Sequence, residues 1–95
     1  MVIGICRLTF VLHDNHSLKG KRHVLKPMME KVKSRFNVSV AEVGDNDLWL
    51  RAEVGISVVG NDRAYANSVL DNVIEFIDGL HMAELTAHSI EIINC

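Results

Sequence analysis

Between Phe36 and Asp62, two runs rich in β-branched residues flank the cluster Gly44-Asp45-Asn46-Asp47. That arrangement leaves few choices of local structure. Glycine with Asp and Asn marks the reversal of antiparallel strands, because these residues tolerate the backbone conformations a tight turn demands. The spacing predicts a hairpin whose turn lies near Gly44 to Asp47, its second strand running from Arg51 to Val59. There Ala52, Val54, Ile56 and Val58 share one face, while Arg51, Glu53, Gly55, Ser57 and Val59 share the other. One side is therefore buried and the other mixed. Gly60-Asn61-Asp62 follows directly, and the Asn61 side chain can accept from the unpaired amides of a first helical turn, so the strand leads straight into a helix.

The same periodicities place the remaining elements. Val2 to Leu12 reads as a strand apolar on both faces at its start, which suits a central position. Ser17 is an N-cap candidate for a first helix in which Leu18, Leu25, Met28, Met29, Val32 and Phe36 form one stripe. Pro27 lies opposite that stripe and is expected to bend or split the helix near Lys26, since forcing it straight would cost about 3 kcal/mol. A second helix spans Asp62 to Asp78, with Ala66, Val69, Leu70, Val73, Phe76 and Ile77 inward and Gly79 as its C-cap. Ala83 to Ile93 forms a last strand. The order strand, helix, strand, strand, helix, strand implies an α+β, ferredoxin-like split βαβ fold: a four-stranded antiparallel sheet with both helices on one face and the first and third strands central.

A chain of 95 residues, 48% of them apolar, makes a single domain over residues 1–95, since two cores would each be too small to bury enough surface. Its apolar runs are too short to span a bilayer and its N-terminus does not resemble a signal peptide, so a cytoplasmic protein with no membrane partner is expected. Cys6 reads as a small buried thiol. If the first and last strands pair antiparallel, its sulfur could approach that of Cys95. Net charge is only −2, but its distribution is uneven. Seven of the ten basic residues, Lys19, Lys21, Arg22, Lys26, Lys31, Lys33 and Arg35, fall between positions 19 and 35, with Glu30 the one acid among them. That segment carries +6 and the rest of the chain −8.

These residues resemble the YlxP-like family of small bacterial proteins, a domain of unknown function, over nearly the whole chain. The resemblance is carried by Val2-Ile3-Gly4-Ile5-Cys6-Arg7-Leu8, Ser17-Leu18-Lys19-Gly20-Lys21-Arg22, Arg35 through Val43, Leu48-Trp49-Leu50-Arg51-Ala52, and Val59-Gly60-Asn61-Asp62. It implies a ferredoxin-like fold. Because such genes often lie among translation and ribosome-maturation genes, it also implies a link to RNA or the ribosome. It supplies no catalytic residues, and Pro27 departs from the uninterrupted first helix it would suggest.

Two function classes follow. Lys19, Lys21, Arg22, Lys26 and Lys33 can neutralise successive phosphates, with Arg7 and Arg51 as accessories; the same cations are equally a solvated helix face. The uncovered sheet face, with Ile3, Ile5 and Val11 and with Trp49 at the start of its strand, suits a homo-oligomer, most simply a dimer. Arg7, Arg51 and Glu53 then form a cross-strand charge cluster within it. An RNA-recognition module of the aromatic-platform type is not expected, because the third strand lacks the stacking aromatics and the RNP1 signature. No nucleophile with a base, no paired carboxylates and no phosphate loop can be assembled, so an enzyme is not expected. His13, His16 and His23 lack the Cys or carboxylate partners of a metal set, and neither metal nor cofactor is expected.

Overall fold

Strand β1 (Val2–Val11) is followed by α1 (Leu18–Arg35), β2 (Ser39–Gly44), β3 (Arg51–Gly60), α2 (Arg63–Leu80) and β4 (Glu84–Asn94), in a computed structural model that describes residues 1–95. Neighbouring strands are all antiparallel, in the order β2-β3-β1-β4. This is the ferredoxin-like split βαβ fold. The central pair is in register throughout, from Val2 opposite Gly60 to Val11 opposite Arg51. Alternation along these strands turns Cys6, Leu8, Phe10, Ala52, Val54, Ile56 and Val58 to one side. There they are buried with Leu25, Met28 and Val32 of α1 and with Ala66, Leu70, Val73 and Ile77 of α2. Neither helix is long and apolar enough to cross a membrane.

Helix α1 starts where expected, the Ser17 Oγ accepting from the Gly20 N–H at 2.9 Å. Pro27 does not split it. The helix is one element of 18 residues. The proline forfeits only the bond to the His23 carbonyl, and Leu25, Met28 and Val32 bury the helix on both sides of it. The α2 cap is Asp62 rather than Asn61: its Oδ1 accepts from the Tyr65 N–H at 2.8 Å, and its negative charge also suits a helix N-terminus. At the other end α2 passes through Gly79 and stops at His81, which takes the left-handed conformation with φ 53°.

The cysteines stay apart. Cys6 lies opposite Ile90, whereas Cys95 follows Asn94 and donates its amide to the Met1 carbonyl at 2.9 Å. The antiparallel register thus separates them by roughly 15 Å of strand, five residues at the usual rise, and both thiols are free.

Helix α2 packs tightly over Gly4 of the sheet. A Cβ there would stand 3.0 Å from Leu70 Cδ1, 3.1 Å from Val58 Cγ1 and 3.2 Å from the Ala66 Cβ. Gly4→Val is therefore expected to lower stability by about 1–3 kcal/mol through overpacking. Gly79→Ala, where no atom lies within 4 Å, should raise it by about 0.5–1 kcal/mol. Urea unfolding midpoints check both, and equal midpoints for the two variants would contradict the packing assigned to Gly4.

Candidate functional site

The first turn of α1 carries a cation that does not face solvent. Lys21 is 1% exposed. Its position on the stripe explains why: residues 21, 25, 28 and 32 recur at the spacing of one helix face, and all of them are buried. The ammonium meets Glu42 Oε2 at 2.8 Å and donates to the carbonyls of Asp45 at 2.8 Å, Asn46 at 3.4 Å and Arg51 at 3.3 Å. Glu42 projects from β2 toward the helices, opposite buried Val54, and its Oε2 has no partner other than this ammonium. Grouping Lys21 with the phosphate-contacting cations is thus corrected. Burial requires compensation of its charge, and the β2–β3 connection supplies it.

That connection is longer than a tight turn and runs from Asp45 to Leu50. Asp45 is left-handed, φ 57°, and accepts from the Leu48 N–H at 3.0 Å. Asn15 Nδ2 donates both to the Ser17 carbonyl and to the Trp49 carbonyl. The Leu12 N–H reaches the Leu50 carbonyl at 2.8 Å, and Arg51 Nε pairs with Asp45 Oδ2 at 2.9 Å. The backbone is pinned from inside while Leu48, Trp49 and Leu50 remain 48%, 54% and 54% exposed. Trp49 therefore precedes β3 and stands on a loop, not on the sheet face.

Lys19, Arg22, Lys26 and Lys33 are all exposed. At about 100° and 1.5 Å per residue they fall within an arc of roughly 60° along about 21 Å of helix. The ion pairs of the molecule are Arg7–Glu53, His13–Glu84, Lys21–Glu42 and Arg51–Asp45. None uses a cation of this row. Arg35 lies outside it, over the Phe76 ring at 5.0 Å. Arg7 and Arg51, expected as accessories, are each bound to a carboxylate at 2.9 Å. The expected cluster of Arg7, Arg51 and Glu53 is divided accordingly, because Asp45 at the loop takes Arg51.

On the open side of the sheet, Ile5, Val43, Val59 and Ile93 are exposed while Ile3 and Val11 are half-buried. The Arg7–Glu53 pair lies among them. Val43 leans over Gly55, where a Cβ would come within 2.8 Å of its Cγ1. Beneath the other face, burial first and Asp71 second push the Cys6 thiol up to about 11, which leaves it protonated and unreactive near neutrality.

Comparison with known proteins agrees with this architecture. The family described as "Protein of unknown function (DUF503)" matches residues 3–90. The uncharacterized protein YlxP of Bacillus subtilis (strain 168) is 38% identical over 85 residues, covering 90% of this chain and 92% of that one. Among solved structures, the de novo designed protein Foldit4 superposes with a TM-score of 0.52 at 15% identity, covering 99% of this chain and 97% of that one. This last likeness shows the fold alone.

Removing the buried ammonium leaves Glu42 and the loop carbonyls uncompensated, so Lys21→Ala is expected to cost about 3 kcal/mol and to speed amide exchange across Asp45 to Leu50. A change below about 1 kcal/mol in urea unfolding, within the range of an ordinary surface pair, would contradict the clamp. The thiol gives a pH test. A folded value near 11 against an ordinary 9.0 means stability is unaffected by Cys6 at lower pH and falls as pH rises between those values, because the unfolded chain loses its proton first. Native protein at pH 8 should accordingly take up iodoacetamide on Cys95 alone, as read by mass spectrometry.

Proposed function

Given that this chain belongs to the DUF503 family of proteins of unknown function, we propose that it is a non-enzymatic RNA-binding protein, associated with the ribosome or its RNA, that makes contact through the outer flank of α1. The observation that carries this reading is the row Lys19, Arg22, Lys26 and Lys33, exposed and without a carboxylate partner. Like charges three and four residues apart on a helix repel by a few tenths of a kcal/mol per pair. The one acid beside the row, Glu30, stands four residues after Lys26 and three before Lys33 but forms an ion pair with neither, and a single carboxylate is outnumbered by the four cations of the row. A polyphosphate relieves it and releases the counterions that the phosphates had held. Lys21 belongs to the fold in this reading, and Arg7 and Arg51 are occupied by their own carboxylates.

The exposed Ile5, Val43, Val59 and Ile93 favour a second reading, a homodimer through the open sheet face. The two surfaces lie on opposite sides of the sheet, so each can be tested without disturbing the other.

Fluorescence anisotropy of labelled ribosomal RNA fragments, at low and at physiological salt, tests the first. With one phosphate per cation the affinity should fall with a log–log salt slope near −3. The double variant Arg22→Glu/Lys26→Glu should lose binding while its melting temperature stays nearly unchanged, since both side chains are exposed. Absence of binding at low salt, or full affinity in the double variant, overturns it. For the second reading, sedimentation should show a concentration-dependent dimer that Ile5→Glu dissociates.

A further inference from the structure

Resting on that reading, we infer that the loop at the head of α1 takes an unpaired RNA base, stacked on the exposed indole of Trp49, next to the helical stem whose phosphates meet Lys19 and Arg22. Position comes first. Lys21 lies between Lys19 and Arg22 in sequence, and its ammonium binds the carbonyls of Asp45, Asn46 and Arg51. The loop is therefore fixed at the N-terminal end of α1, where the cation row begins. Asn15 tightens the junction by joining the Trp49 carbonyl to that of the Ser17 cap.

Chemistry comes next. The backbone of the loop is held by Lys21, Asn15 and Leu12, so the side chains of Leu48, Trp49 and Leu50 are not needed to shape it. All three are about half exposed, and with Asp47 and Arg51 they line an open hollow of about 410 Å³. A rigid indole between two aliphatic side chains offers a flat apolar surface at little ordering cost, and any base can stack on it. Paired bases in an A-form stem are already stacked and unavailable, so the occupant is a base in an overhang, bulge or loop. The charges of the loop agree. Arg51 is taken by Asp45 at 2.9 Å and Asp47 has no cation partner, so the loop repels phosphate and leaves it to the helix. Continuity with the cation row is what favours a base over an apolar protein segment.

Trp49 is the only tryptophan in the chain, so fluorescence excited selectively in the indole, away from Tyr65, reports on this site alone. Two RNAs with the same stem, one blunt and one carrying a short single-stranded overhang, should be titrated against the wild type, Trp49→Ala and Trp49→Phe. The overhang RNA should bind more tightly and quench the indole. Trp49→Ala should weaken the overhang complex by about tenfold and leave the blunt one unchanged, while Trp49→Phe keeps most of the difference. If both RNAs bind with equal, salt-steep affinity and neither responds to Trp49→Ala, base stacking is overturned while the α1 surface stands. If neither RNA binds at low salt, the α1 reading fails and takes this one with it. Fluorescence that changes with protein concentration alone would make the loop a self-docking surface and overturn the proposal.

Discussion

A single buried ammonium joins four parts of this molecule. Lys21 ties the first turn of α1 to the edge strand β2 through Glu42, to the β2–β3 loop through Asp45 and Asn46, and to the first residue of β3 through the Arg51 carbonyl. Burying an ion costs several kcal/mol, and a well-packed apolar side chain would often serve stability equally well. What an apolar side chain lacks is a set of donors. An ammonium has three, each of which must find an acceptor once water is excluded. In this protein the acceptors are the Glu42 carboxylate and the carbonyls of Asp45, Asn46 and Arg51. The clamp therefore trades little stability for a defined loop position.

The other charges divide by the same logic. Acids on β2, β3 and the loop are matched to Lys21, Arg7 and Arg51, whereas on the outer flank of α1 four exposed cations outnumber the single acid Glu30 and none of them is paired. The sheet also guards its exposed edge. Arg63, at the start of α2, donates to the Ile92 carbonyl on edge strand β4 at 3.2 Å, occupying a backbone acceptor that another strand would otherwise find. The open face differs, since it keeps Ile5, Val43, Val59 and Ile93 in solvent. Apolar exposure is thus confined to that face, the head loop and a few scattered side chains, such as Met1 and Tyr65.

Most of the fold was legible because strands and helices leave different periods in the sequence. The even-numbered residues of β1 and β3 and the stripe Leu25, Met28, Val32 state which face is buried without any tertiary information. What escaped depends on contacts distant in sequence. Leu48-Trp49-Leu50 has the composition of a strand, but Asn15 and Lys21, 34 and 24 residues away from their partners, hold this segment as a loop. Lys21 reads as one more member of a basic cluster, since a lysine is expected at the surface. Only its spacing from Leu25, Met28 and Val32 placed it on the inner face. The cysteines illustrate a third limit: antiparallel pairing was foreseeable, but the register that sets Cys6 against Ile90 was not.

The residues flanking Lys21 give the clamp a consequence for binding. Lys19 and Arg22 are carried by the same turn of helix, and the Trp49 loop is carried by the same ammonium. No flexible segment intervenes between the two. A ligand that met both would find them already spaced, so little ordering entropy would be charged against its affinity. On the proposed reading the same rigidity would make the site selective by geometry: a ligand offering phosphates without a free base would engage the helix and leave the loop in water. A lysine that reaches no solvent would in this way determine what the neighbouring cations of the proposed surface recognise.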